Sequence, residues 1–145
     1  MPASQLNRSI ILLPAATIGA AAAGVLSPIL SLTPGILVAT VQATFLYGAG
    51  GTKVTLYLQT SLDGELSWFD IACMTFTTAA AKKIASLKAL TAVVASYTPT
   101  DATLTDDTIK DGLLGNAYRV KYTSTGTYTG ATSLAVHISL QGTVV

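Results

Sequence analysis

Reactive side chains are almost missing from this chain, which has one cysteine (Cys73), one histidine (His137), one tryptophan (Trp68) and two methionines. A lone cysteine cannot close an internal disulfide, and a structural zinc site needs three or four Cys or His ligands, so both devices are excluded. Nucleophilic hydrolysis needs a Ser or Cys beside a base; His137 is the only imidazole, and no spacing links it to Cys73. Charge is scarce as well. Charged residues are 10% of the chain, eight Lys and Arg against seven Asp and Glu, for a net charge of +1. An ordinary soluble domain carries about 25%. No basic field exists to gather nucleic-acid phosphates or anionic lipid, so direct nucleic-acid binding is disfavoured. With no catalytic constellation, metal-ligand set or cofactor fingerprint, the expectation is a protein that is not an enzyme and has no cofactor.

The deepest gap is local: from Ser9 through Thr52 there is no Asp, Glu, Lys or Arg. Something must shield such a stretch. A membrane helix needs about 20 continuous apolar residues. Pro14, Pro28 and Pro34, with Gly19, Gly24 and Gly35 between them, break the run, so a membrane span is not expected. A secretory leader stays open, with Arg8 as basic region, Ile10 to Ile18 as apolar region and Ala21 to Ala23 as a small-residue cleavage site. The reading adopted is an extended apolar N-terminal arm over residues 1–35, followed by a β-sandwich domain over 36–145. Within the arm, Ile10, Ile11, Leu12, Leu13, Ile29, Leu30 and Leu32 are the candidate assembly-interface residues. The arm either crosses a neighbouring subunit or supplies the first strands of its own core.

What is present after residue 36 is period-two alternation, the mark of half-buried strands. Val41, Ala43, Phe45 and Tyr47 alternate with Thr40, Gln42 and Thr44; Val54, Leu56 and Leu58 alternate with Lys53, Thr55 and Gln59. The intervening Gly48-Ala49-Gly50-Gly51 predicts a β-hairpin. After the turn at Asp63-Gly64, WFDIACMTF is apolar on both faces and is expected to be central in its sheet. The middle of the chain predicts a strand or turn at Lys82 to Lys88 and a strand from Thr91 to Tyr97. TDATLTDDTIKDG reads as a solvated acidic loop. AYRVKYT and SLAVHISL, with Leu134, Val136, Ile138 and Leu140 inward and His137 outward, close the chain. Seven or eight short strands with regular turns predict one all-β domain: an antiparallel β-sandwich, jelly-roll-like.

Apparent motifs dissolve on inspection. GAGGTK has the wrong glycine spacing for a phosphate loop and joins two strands instead of opening a helix. Asp101, Asp106, Asp107 and Asp111 do not match a calcium-loop spacing. Asp63, Glu65 and Asp70 lie near a turn, where carboxylates ordinarily serve solvation, so no glycosidase pair is expected.

The stretches LQTSLDGELSWFDIACMTF and GNAYRVKYTSTGTYTGATSLAVHISL resemble small jelly-roll virion proteins of tailed bacteriophages, the head decoration or cement proteins. The resemblance covers about half the chain. It implies a minor capsid protein that stabilises the head through contacts with the major capsid protein or other virion subunits. Such a protein is a homo-oligomer in the virion, assembled in the bacterial host cytoplasm, with no cofactor and no membrane partner. The uncharged arm departs from a self-contained decoration domain and keeps a neck or tail position in view. A Ser-x-Asp-Gly turn before a Trp strand also occurs in sugar-binding sandwiches, in which Trp68, Tyr57 or Tyr128 would form a stacking platform.

Overall fold

Alternation of apolar and polar residues drives this chain into strands, and a computed structural model describes how they assemble over residues 4–31 and 35–144. The strands are β1 (Ser4–Thr17), β2 (Ala22–Leu26), β3 (Leu30–Ser31), β4 (Ile36–Leu46), β5 (Ala49–Gly50), β6 (Lys53–Ser61), β7 (Phe69–Phe76), β8 (Ala81–Lys88), β9 (Ala117–Thr125), β10 (Tyr128–Thr129) and β11 (Ser133–Val144). No helix forms among the described residues. One sheet, here sheet A, runs β1-β11-β4-β8; sheet B runs β2-β9-β6-β7, with β3 also on β9. Every strand pair is antiparallel. The fold is therefore an all-β antiparallel sandwich, and its strand order is the two-sheet jelly-roll winding.

Between the sheets the alternating side chains interlock. Ala39, Val41, Ala43 and Phe45 of β4, with Leu134, Val136, Ile138 and Leu140 of β11, are fully buried against Val54, Leu56 and Leu58 of β6 and Val120 of β9. At one end an aromatic cluster closes the core: Phe45 stacks on Phe76 at 5.1 Å and meets Tyr128 edge-on at 5.9 Å, geometries that suit ring quadrupoles.

The expected hairpin between β4 and β6 is not formed. The two strands lie in different sheets, and the glycine-rich segment is a corner, not a hairpin tip. Its β5 pairs with β10 from the equivalent corner between β9 and β11. Gly48 sits so close to that second corner that a Cβ would lie 1.9 Å from the Gly130 carbonyl oxygen. A period-two pattern aims apolar side chains at one core, and an arch between sheets meets that demand as well as a hairpin does.

Two further expectations change. β7 is an edge strand, not a central one: its second face is buried because the β8–β9 connection lies over it. Hydrogen bonds from Asp70 N to Thr100 O (2.9 Å), Cys73 N to Thr108 O (2.9 Å) and Lys110 N to Ile71 O (2.8 Å) fasten that strap to β7. Thr91 to Tyr97 is irregular and does not form the expected strand. The segment has no sheet partner, and Asp111 accepts from the Lys88 N–H and the Thr91 hydroxyl at its start. Residues 4–31 form β1, β2 and β3 on the subunit's own β11 and β9.

Candidate assembly surfaces

The anticipated interface residues divide between core and surface. Leu12 and Leu13 are buried, while Ile10 and Leu30 pack partly against the core. Ile11 (58% exposed) and Ile29 (50%) face outward. Leu32 lies outside the described residues. Alternation along β1 explains the pairing of buried Leu12 with exposed Ile11, and a register shift between Ile11 and Leu13 lets Leu13 turn inward as well.

Ile11 opens onto the outer face of sheet A. Strand register aligns it with His137, Gln42 and Ile84, and the neighbouring row is Ser9, Ser139, Thr40 and Ser86. From Ser9 across β11 and β4 this face carries no charged residue; Lys82 and Lys88 stand on the outermost strand, β8. A shallow depression of about 300 Å³ lies between Ser9, Thr40, Gln42, Ile84, His137 and Ser139. His137 Nδ1 is shielded there and has no hydrogen-bond partner among the described residues.

The outer side of sheet B is built differently. Asp70, fully buried, accepts hydrogen bonds from Gln59 Nε2 (2.8 Å), Thr100 Oγ1 (2.9 Å) and the backbone N–H groups of Ala102, Thr103 and Leu104 (3.0, 3.1 and 3.2 Å). This corrects the reading of Asp70 as a solvated turn carboxylate; its oxygens are the anchor of the strap. Gln59 is buried beside it, donates also to Asp101 (2.7 Å) and accepts from Arg119 Nε (2.9 Å). The acids of the strap itself lie nearer the surface and are paired as well. Asp101 pairs with Lys121, Asp106 with Lys53 and Asp107 with Lys83, while Asp111 accepts from the Lys88 N–H. The acidic segment is a surface loop, as its composition predicts, and its carboxylates also act as ties, which composition does not reveal. Five of the chain's seven acidic residues serve it.

Cys73 is buried on β7 of sheet B, and His137 projects from β11 of sheet A, so the fold does not bring them together. Burial pushes the Cys73 thiol up to about 11, which keeps it protonated at neutral pH. No group of three or more His, Cys, Asp or Glu converges among the described residues. Tyr57 and Tyr128 belong to the interior, and the Arg119 guanidinium lies 4.5 Å over the Trp68 ring. Of the three aromatics that could have stacked on a sugar, Tyr57 and Tyr128 are closed off and Trp68 is half-exposed with one ring face covered by Arg119.

The chain matches no protein-family model, no curated protein and no solved structure. Among the described residues no helix is long and apolar enough to cross a membrane.

Proposed function

We propose that this chain is a structural subunit of a tailed-bacteriophage virion, a decoration or cement protein that stabilises the head by contact with the major capsid protein or its neighbours. The observation that carries the reading is the outer face of sheet A, a broad four-stranded surface uncharged from Ser9 across β11 and β4. Interface centres are depleted of charge, and a polar, uncharged sheet face desolvates at lower cost than a charged one. The jelly-roll winding adds support by analogy, since viral capsid domains use it, although lectins and cupins do too. On this reading the protein performs no catalysis and acts through whole surfaces. A neck or tail position is the second form of the same proposal. The sugar-binding alternative is weakened by the Arg119 cover on Trp68.

The test is cryo-electron microscopy of virions from the phage that encodes the chain, with Gln42→Lys as the comparison. Gln42 lies at the middle of the uncharged face. Wild-type density on the shell, lost in Gln42→Lys while circular dichroism stays unchanged, is the expected result. Density at the neck or tail would relocate the subunit, and no density anywhere on the particle would sink the proposal.

A further inference from the structure

Past the end of β8 the chain carries twelve consecutive uncharged residues, 89–100. Within them Leu90 (82% exposed) and Val94 (97%) stand almost fully in solvent, with Val93 half exposed beside them. This loop is tied near both ends. Ala89 N donates to Leu37 O (2.8 Å), Thr91 Oγ1 to Asp111 (2.9 Å) and Tyr97 OH to Asp70 O (3.1 Å). Gly112, at φ +79°, packs so tightly that a Cβ would lie 2.2 Å from Thr91 O. A loop tied near both ends has less freedom to lose on docking than an unanchored one.

The same molecule carries an apolar hollow. Between β7, β8 and the strap lies an open groove of about 280 Å³, lined by Met74, Ile84, Ala85 and Ile109. Its two charged residues, Lys83 and Asp107, already pair with each other at 2.8 Å. An uncharged knob can therefore enter without stranding a charge, and a charged one would find no free partner. An apolar lining whose two charges already pair with each other suits a small aliphatic cluster.

We propose that Leu90, Val93 and Val94 of one copy seat in the β7–β8 groove of a second copy; this deepens the subunit reading above and rests on it. Knob and groove are different patches, so the contact is heterologous and repeats head to tail, closing into a ring or growing as a chain.

Sedimentation velocity of the full chain and of two surface variants, Val94→Asp in the knob and Ile84→Asp in the groove, tests this. The wild type should self-associate, and each variant alone should weaken association by roughly 30-fold or more, as for a central interface residue. Mixing the two variants is decisive: one intact knob and one intact groove should give a 1:1 heterodimer that grows no further. If the wild type oligomerises but Val94→Asp leaves it unaffected, or the mixture stays monomeric, the knob-in-groove contact is wrong and the subunit reading survives. A wild type that is monomeric at millimolar concentration also overturns the contact, and the virion reading then stands or falls on the particle density alone.

Discussion

Single residues decide how the outer side of sheet B holds together, and Asp70 is the most consequential. Its carboxylate collects two side-chain and three backbone donors in a fully buried position. Asp70→Ala would leave those neutral donors without an acceptor and is expected to destabilise the fold by about 1–3 kcal/mol for each donor that stays buried and unpaired. Urea unfolding measures the loss. Buried Cys73 reports the strap directly, because thiol labelling should accelerate in the variant as the strap lifts. Gln59→Ala should cost about 1–3 kcal/mol, since it orphans Arg119 Nε and removes a donor from two carboxylates. Alternation alone would place Gln59 on a solvent face, where the same change costs little. The alternation of β6 is plain in the sequence, but the loop that returns from residue 101 to cover Gln59 leaves no local trace there.

At the level of elements, the strap and the N-terminal strands make separate predictions. Strap carboxylates are held in their charged form: Gln59 and then Lys121 lower Asp101, and the Lys88 N–H lowers Asp111. At Asp107 burial pulls the other way, and the bonds from Lys83 and Thr75 outweigh it. A depressed folded-state pKa contributes stability above the unfolded value, about 4, and that contribution disappears as pH falls through the lowered values. The urea midpoint should therefore be flat between pH 7 and 5 on account of these groups and fall below pH 4; a midpoint that rose on acidification would contradict the assigned ties. Deleting residues 1–35 removes an edge strand from each sheet, along with Leu12, Leu13 and Ile18 from the core. The truncated chain should show no cooperative thermal transition by circular dichroism. A cooperative transition would mean that residues 36–145 fold alone and that β1 to β3 only dress the sheets.

For the molecule as a whole, the all-β class and the inward faces of β4, β9 and β11 were legible because alternation is local, as in Leu134, Val136, Ile138 and Leu140. The winding was not legible, because partner choice joins residues far apart. Ser4 opposes Val144 and Ile11 opposes His137, and no feature near residue 4 names residue 144. The outward apolar residues Ile11, Ile84 and Val94 could be read as apolar from sequence but not as exposed. The same remoteness governs folding. Nearly every strand pairs outside its immediate sequence neighbours; only β6 and β7 form a local antiparallel pair. Such non-local pairing requires loop closure before contacts reward it, which places the expected refolding time in the millisecond-to-second range of all-β sandwiches. Trp68, the only tryptophan, lies under Arg119 near the start of β7 and reports this event by stopped-flow fluorescence. Ile138→Ala, in the strand that bridges β1 and β4, should cost about 2–5 kcal/mol. If β11 docks last, that loss appears in the unfolding rate and leaves refolding nearly unchanged. A matching slowdown of refolding would instead put the β1–β11–β4 ladder in the folding nucleus, and refolding complete in microseconds would contradict the winding itself.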